Sequence, residues 1–375
     1  MAAVRHWTVL SPLIAAPSWV IAGGCTRNGV IHRRAAPGTI RFTTLSPTLA
    51  PATIGQDGNH NGSTKPKPTL YMLDKLSDAA IAYARTKFNV VLQSDPAFKG
   101  WQEKAKTVLV RTSAFTEEEV AKCPNLLAVT KQGVGIDNIA KAACDARGIK
   151  ILNAPGANAQ AVAEMVVALT LASARNIGSI AARQLIAPVS KMTCNGITLF
   201  GKTVGIIGMG NIGRRTAETF HRGFNMGVIA YDPFQSADVW SDVPHKRFHE
   251  YRDLLKEADV VSLHVPLTKE THNMIGYKEI RTMKRSAIIV NGARGGIINE
   301  VGLQRALEDG LIWGAGLDGH EEEPPSPARY GELWKLPNVV STPHIGATTA
   351  DAQFKSATLA LDNTYAYLQE IGEAP

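Results

Sequence analysis

The sequence predicts an α/β protein built on two parallel-sheet units, and three observations predict it. From Thr69 onward, short apolar runs alternate with helical stretches, the pattern of parallel strands joined by crossover helices. A glycine-rich strand–turn–helix, Gly208-Met209-Gly210-Asn211-Ile212-Gly213, stands in the middle of the chain, with a whole α/β unit before it. After Pro343 only one helical stretch remains, Thr349 to Glu370. That stretch is too short to be a domain, so it is expected to return and pack on the first unit. The expectation is a Rossmann-type nucleotide-binding domain over residues 159–344. It is inserted into a smaller substrate domain formed by residues 67–158 plus 345–375, with the ligand cleft between them. Residues 1–66 form a leader outside the fold.

The leader is rich in Ala, Ser, Thr and Pro. Through residue 56 it carries Arg5, Arg27, Arg33, Arg34 and Arg41 but no acid and no lysine. Such a start resembles an organelle transit peptide and points to a mitochondrial address. A secretory signal would use Trp7 to Ala22 as its apolar core, but Pro12 and Pro17 interrupt it. A tail without an address, on a cytoplasmic protein, is the third reading. The leader arginines account for most of the net charge of +7 in 375 residues. The body is nearly balanced, so no basic stripe calls for nucleic acid. Apart from the leader, no apolar run approaches the ~20 residues of a membrane span. The 4 cysteines are scattered, without a C-x-x-C pair, which suits reduced thiols rather than disulfides or zinc.

Thr69 to Leu73 reads as the first strand. Ser77 caps a helix over Asp78 to Phe88, with Ala80, Ile81 and Ala84 on one face. Strands at Val108–Val110, Leu126–Val129 and Lys150–Leu152 alternate with helices at Thr116–Lys122 and Ile139–Arg147. Ala159 to Ala174 is a long apolar helix, expected between the domains, and Ile186 to Leu199 is a connector. Further strands are expected at Val204–Ile207, Val228–Tyr231, Val260–His264, Ala287–Asn291 and Ile312–Leu317, with Leu303–Glu308 the clearest helix among them.

The glycine loop has a specific physics. Gly208 permits the sharp turn, Gly210 lets a pyrophosphate approach the backbone, and Gly213 lets helix and strand pack closely. The following helix, read from Arg214 to Phe220, points its N-terminal amides at the phosphates. Asp232 ends the next strand about 20 residues beyond Gly213, where an acid binds the adenosine ribose hydroxyls. A carboxylate there repels a 2′-phosphate, so the cofactor is read as NAD.

Three further pieces carry chemistry. Asn291-Gly292-Ala293-Arg294-Gly295-Gly296 places Arg294 at the carboxyl edge of the sheet, where its planar fork suits a carboxylate. Gly316-Leu317-Asp318-Gly319-His320-Glu321-Glu322-Glu323-Pro324 is dense in acids after a strand. Pro343-His344-Ile345-Gly346 puts a histidine between a strand end and a glycine turn.

Together with Gly133-Val134-Gly135-Ile136-Asp137-Asn138 and His264-Val265-Pro266-Leu267-Thr268, these pieces resemble the NAD-dependent D-isomer-specific 2-hydroxyacid dehydrogenase family. The likeness is nearest to the 3-phosphoglycerate dehydrogenases lacking a C-terminal regulatory domain, and it runs from about Thr69 to Glu370. It implies a flavodoxin-like substrate domain and hydride transfer between a D-2-hydroxy or 2-oxo acid and NAD, with no metal. By resemblance, Arg294 holds the substrate carboxylate, His344 is the acid/base and Glu323 is its partner. Gly208, Gly210, Asn211, Ile212, Gly213, Asp232, Val265, Pro266, Gly292, Ala293, Asp318, His344 and Gly346 line the cofactor. Arg111, Lys131, Val134, Gly135 and Arg294 meet the substrate. The resemblance also implies a homodimer, and no nucleic-acid or membrane partner is expected.

Four departures bear on the substrate. Val134 and Lys131 replace the Thr and Arg of many relatives, Gly319-His320 replaces a Val-Phe pair, and the connector lacks a Gly-x-Trp. A phosphoglycerate-type substrate leads, followed by hydroxypyruvate, glyoxylate or a specialised 2-oxo acid. The family also includes NAD-sensing corepressors, which turnover would distinguish. An inactive scaffold is disfavoured by the intact Arg294, Glu323 and His344.

Overall fold

The computed structural model describes residues 65–375. The predicted leader, except for Lys65 and Pro66, falls outside the described residues.

The first sheet grows from β1 (Thr69–Met72), which buries Leu70, Tyr71 and Met72. The Ser77 hydroxyl accepts the Ala80 amide at 3.3 Å and starts α1 (Asp78–Lys87), as expected of a cap. There follow β2 (Asn89–Leu92), α2 (Trp101–Lys104), β3 (Thr107–Val110), α3 (Glu117–Lys122), β4 (Ala128–Lys131), α4 (Lys141–Ala146) and β5 (Lys150–Leu152). The strands are parallel in the order β2-β1-β3-β4-β5, the flavodoxin-like order. β4 begins at Ala128 rather than Leu126, because its register against β3 pairs Thr107 with Ala128 and Val110 with Lys131. The strand therefore runs past its expected end at Val129, and Lys131 becomes its last residue.

The chain then runs through α5 (Ala159–Ala174) and α6 (Ile177–Gln184) into the second sheet. Its elements are β6 (Thr203–Ile207), α7 (Asn211–Phe224), β7 (Gly227–Tyr231), β8 (Lys246–Arg247), α8 (Tyr251–Glu257), β9 (Val260–Leu263) and α9 (Tyr277–Ile280). They continue as β10 (Ile288–Asn291), α10 (Glu300–Glu308), β11 (Gly314–Leu317), α11 (Pro327–Trp334) and β12 (Val339–Ser341). The order is β12-β11-β10-β9-β6-β7-β8, all parallel. This is the doubly wound nucleotide-binding arrangement with one added edge strand. Strand order reverses at β6, so the carboxyl ends of β6 and β9 open the crevice where such folds bind ligands. β6, β9, β10 and β11 are almost wholly buried, as strands covered on both faces must be.

α5 packs on α7, β10 and β11, while the last helix, α12 (Ala350–Glu370), packs on α1, β4 and β5. The Thr130 and Thr364 hydroxyls meet at 2.9 Å inside that contact. The chain therefore does come back to its first sheet. It crosses between the sheets twice, at residues 153–158 and 342–349, and the cleft lies at these crossings. Sequence reading gave no range for β2, β8 or β12, although it expected a strand end before His344. All three are edge strands of two to four residues, and β2 and β12 are only partly buried; their apolar runs, Val90-Val91-Leu92 and Val339-Val340, are short, and β8 has none. Among the described residues no single helix is long and apolar enough to cross a membrane.

Candidate active site

The glycine loop is built as a cradle. Gly208 has φ +101, and a Cβ there would come within 2.5 Å of the His264 carbonyl oxygen. At Gly213 a Cβ would stand 2.1 Å from the Gly208 carbonyl oxygen, so helix and strand close only without a side chain. Gly210 has open space around it and directly precedes α7. The helix starts at Asn211, three residues earlier than expected, which puts Asn211 and Ile212 in its first turn. Its unpaired amides therefore face that open space, and the fit to a pyrophosphate is good. The Asp232 carboxylate accepts the amides of Met209 and Phe234, each at 2.9 Å. It thus braces the loop from the end of β7, beside a cavity of about 400 Å³. Arg247, from β8, donates to the carbonyls of Asp232, Gln235 and Ser236 and stiffens the same turn.

Between the sheets lies a cleft with two lobes. The first, about 730 Å³, is lined by Arg111, Lys131, Gln132, Val134, Gly135, Asp137 and Asn158 from the first sheet's loops and the first crossing. Arg294, Glu323 and His344 face them from the second, and Gln353 and Ser356 from α12. The second lobe, about 460 Å³, is lined by Ile212, His264, Val265, Pro266, Gly292, Ala293, Asp318 and Gly346. Val134, Gly135, Asp137, Arg294 and His344 line both. The predicted substrate residues are thus gathered in one lobe and most predicted cofactor residues in the other. Gly208, Gly210, Asn211, Gly213 and Asp232 lie beyond the second lobe, along the β6–α7 turn.

Three buried polar atoms of wall residues have no partner among the described residues: Oε1 of Gln132 in the first lobe, Oδ1 of Asn158, a residue common to both lobes, and Nδ1 of His264 in the second. His264 Nε2 is engaged with the Ser262 hydroxyl at 2.8 Å, and burial drives its pKa down to about 3, so the ring is neutral. Unpaired buried groups in a cavity wall are sites where a bound molecule supplies the missing hydrogen bond.

His344 follows β12 in the left-handed backbone region, at φ 56, a strained placement of a kind that gathers at functional sites. Its Nδ1 meets both Glu323 oxygens, at 2.9 and 3.0 Å. That hydrogen bond raises the His344 pKa, against burial and the nearby Arg294 charge. Burial pushes Glu323 upward, but the bond and charge of His344 prevail and hold it below the usual carboxylate range. With Nδ1–H committed to Glu323, the free nitrogen is Nε2, and the ring lines both lobes.

Arg294 stands just past β10, its carbonyl accepting from the Asn291 amide at 2.8 Å. Its fork is already engaged: Nε and Nη2 donate to Asp137 Oδ2 at 3.0 and 2.9 Å, and Nη1 donates to the Ala293 carbonyl at 2.8 Å. The sequence reading assigns Arg294 the substrate carboxylate; here a carboxylate from the facing loop already occupies its fork. A Cβ on Gly135 would stand 2.0 Å from Arg294 Nη2 and 2.7 Å from Asp137 Oδ2, so any side chain there would have to push this ion pair aside. Asp137 lay inside a quoted motif but received no role. An acid two residues past a glycine turn, in a loop facing an arginine, was the available signal.

Asp318 lines the second lobe as expected and has a structural task as well. Both its carboxylate oxygens are spent on the His344 loop. Oδ1 accepts Thr342 Oγ1 and the Ile345 amide at 2.7 and 2.8 Å, and Oδ2 accepts the Gly346 amide at 2.8 Å. Asp318 is 1% exposed and works as a brace. Replacing it with asparagine turns one acceptor into a donor facing a donor. Asp318→Asn is expected to lower unfolding free energy by about 1–3 kcal/mol, read by denaturant titration. An unchanged midpoint would contradict the bracing role.

Asp74, also missed from sequence, holds the segment that presents Arg111. It accepts the amides of Arg111 and Ser113 and the hydroxyls of Thr112 and Ser113. Burial would raise its pKa, but these donors lower it. Lys131 Nζ donates to the Arg111 carbonyl. The side chain is 7% exposed, and burial lowers its pKa to about 8.

A doubly wound sheet with a glycine cradle, facing a cleft that holds an imidazole–carboxylate pair and a guanidinium, defines a nucleotide-dependent α/β protein equipped for acid/base chemistry. The sequence model of the D-isomer specific 2-hydroxyacid dehydrogenase NAD binding domain matches residues 167–346. A hydroxypyruvate reductase of Thermotoga maritima is 40% identical over 262 residues, 70% of this chain and 84% of that protein. A D-3-phosphoglycerate dehydrogenase of Methanocaldococcus jannaschii is 40% identical over 256 residues, 68% of this chain. The match spans about half of that relative, 48% of its length. Among solved structures, a D-lactate dehydrogenase of Aquifex aeolicus complexed with NAD and lactic acid superposes with a TM-score of 0.67. It is 27% identical, covering 81% of this chain and 96% of that one. The chain belongs to the D-isomer-specific 2-hydroxyacid dehydrogenase family.

Proposed function

We propose that this chain interconverts a D-2-hydroxy acid and the matching 2-oxo acid with NAD as cofactor. The observation that carries the reading is His344, held at Nδ1 by Glu323 on the edge shared by both lobes, with Arg294 on the same edge. A nicotinamide held in the second lobe by residues such as Val265, Ala293 and Gly346 would supply the hydride chemistry. His344 Nε2 gives a proton to the substrate oxygen in reduction and takes it back in oxidation. Glu323 keeps the charged ring favourable through both. Arg294 binds the substrate carboxylate, which must share or displace the Asp137 carboxylate already on its fork. Gly208 to Gly213 cradle the pyrophosphate, and the Asp232 carboxylate disfavours a 2′-phosphate.

Arg111 and Lys131 lie in the first lobe with His344 and Arg294. They favour a substrate with a second anionic group, of which phosphoglycerate is the leading case. Hydroxypyruvate and glyoxylate need only Arg294. The test is NADH consumption by the full chain against a panel of 2-oxo acids, including phosphohydroxypyruvate, hydroxypyruvate and glyoxylate. No turnover with any 2-oxo acid would sink the reading, and preference for NADPH would sink the role of Asp232.

Lys131 adds a pH signature. A pKa lowered to about 8 means the cation is present below that pH and lost above it. KM for a doubly anionic substrate is therefore expected to rise about tenfold above pH ~8, and Lys131→Arg, which keeps its charge, should flatten the rise. A KM independent of pH across this range would remove Lys131 from the substrate site.

The chain is also proposed to form a homodimer through the surface carrying Leu185, Ile186 and Met192, which are 90%, 88% and 82% exposed. An apolar cluster of this kind marks an interaction surface. Sedimentation at the monomer mass would contradict it.

A further inference from the structure

His320 lies where the three loops carrying Arg294, Glu323 and His344 meet. We propose that His320 is a positioning residue, a polar clasp that keeps Glu323 and His344 in register; the proposal rests on the dehydrogenase reading of the site.

The sheet alone does not hold that register. β11 and β12 pair in parallel, and their last matched residues are Leu317 and Ser341. Beyond them the Thr342 amide still bonds the Leu317 carbonyl and Asp318 holds the His344 loop, but residues 319–323, which carry Glu323, have no further strand pairing to β12. The His320 ring, 3% exposed, spans the gap: Nε2 lies 2.7 Å from Ser341 Oγ and Nδ1 lies 3.2 Å from the Asp318 carbonyl oxygen. A carbonyl can only accept, so Nδ1 carries the hydrogen and Nε2 accepts the Ser341 hydroxyl. Both bonds fit one neutral tautomer, and burial favours that neutral ring over the pull of Glu300, Glu323 and Asp318. The clasp adds one side-chain rung to the ladder after the backbone pairing ends.

The same residue reaches the catalytic pair through its backbone. The His320 amide donates to Glu323 Oε1 at 3.2 Å, the oxygen that also takes His344 Nδ1 at 2.9 Å. A Cβ on Gly295 would stand 2.0 Å from the His320 carbonyl carbon, and one on Gly319 would stand 3.0 Å from the Arg294 carbonyl carbon. The Arg294 loop therefore rests directly on the backbone of 319–320. Outward, Tyr330 sits edge-on to the ring at 5.1 Å, and its hydroxyl donates to Glu300 at 2.8 Å and accepts the Glu322 amide at 3.0 Å. Glu300 in turn accepts the Glu321 amide at 2.9 Å. Residues 320, 321 and 322 are each tied down in this way, and His320 alone of the three reaches across to β12.

The test measures the titration midpoint of His344 by NMR in the full chain without substrate, alongside the pH profile of kcat. The variants are His320→Phe, Ser341→Ala, their double and His320→Gln. Phenylalanine keeps the packing on Tyr330 and loses the clasp, whereas the milder Ser341→Ala removes a single hydroxyl. Both are expected to lower the His344 midpoint by roughly half a unit, because a less well aligned Glu323 favours the charged ring less. They should lower kcat about tenfold with KM nearly unchanged, the pattern of a displaced catalytic group. The double variant should fall no further than His320→Phe, since the two residues make one bond, and glutamine should recover part of the loss. Folded variants with a wild-type His344 midpoint would overturn the proposal, even if their melting temperatures fall. Shifted midpoints in a protein that reduces no 2-oxo acid would leave the clasp standing and remove the dehydrogenase reading instead.

Discussion

His344→Ala is expected to lower kcat for 2-oxo acid reduction by at least ~100-fold, with a smaller effect on KM. The scale is that of lost general acid catalysis. The hydride adds negative charge to the substrate oxygen, and the proton that quenches it comes from Nε2, because Nδ1 is held by Glu323. Alanine leaves water as the donor and Glu323 without its partner. The pH profile provides a second readout. The Glu323 hydrogen bond raises the His344 pKa, against burial, so the acid form persists to higher pH than in an isolated imidazole. Reduction should lose rate as pH rises through that pKa, and oxidation, which needs the base, should gain rate over the same range. In His344→Ala both limbs should vanish. Steady-state NADH consumption across pH measures all of this, and a variant with full activity would refute the assigned mechanism.

Arg294→Ala is expected to cut kcat/KM by at least ~100-fold, the scale of removing a charged group from a developing oxyanion. Both binding and turnover should suffer, because a guanidinium that grips the carboxylate also sits beside the carbonyl whose charge grows. Lysine should restore little, since its point charge cannot reproduce the planar fork. The fold should tolerate the change. Asp137, the partner left behind, has a side chain 61% exposed and can be rehydrated. A folded Arg294→Ala enzyme with undiminished kcat/KM would show that the substrate carboxylate is held elsewhere. The Asp137 contact also means that substrate competes with an internal carboxylate. The affinity measured for a 2-oxo acid is thus a difference between two anions on one fork.

Much of this site can be read along the chain because its parts are local. Gly208, Gly210 and Gly213 are spaced by the needs of a single turn, and Asp232 lies one crossover away. Arg294, Glu323 and His344 each follow a strand of the same sheet, and parallel strands deliver their carboxyl ends to one edge. The order of apolar runs therefore placed them together before any contact was seen. Ser77, Thr349 and the span of Ala159 to Ala174 were equally legible, since caps and long apolar helices are written in consecutive residues.

What escaped the sequence depends on partners far apart in it. Asp137 meets Arg294 across 157 positions, and no local pattern links an exposed acid in one loop to a guanidinium in another. Asp318 lines the expected cofactor lobe, but nothing local showed that three donors from the His344 loop claim its oxygens. His320 appeared only as an unusual pocket wall until Ser341 was found at its Nε2. Lys131 was expected to meet the substrate just past a strand end; the pairing of β4 with β3 puts it on the strand itself and buries it. The sequence by itself determined the fold class, the cofactor cradle and the three residues proposed to carry the chemistry, because strand–turn–helix spacing and backbone freedom are local properties. Only the tertiary structure decided which polar atoms are already satisfied and which remain free for a ligand. Hydrogen bonding and desolvation depend on distance in space, and the fold alone sets those distances.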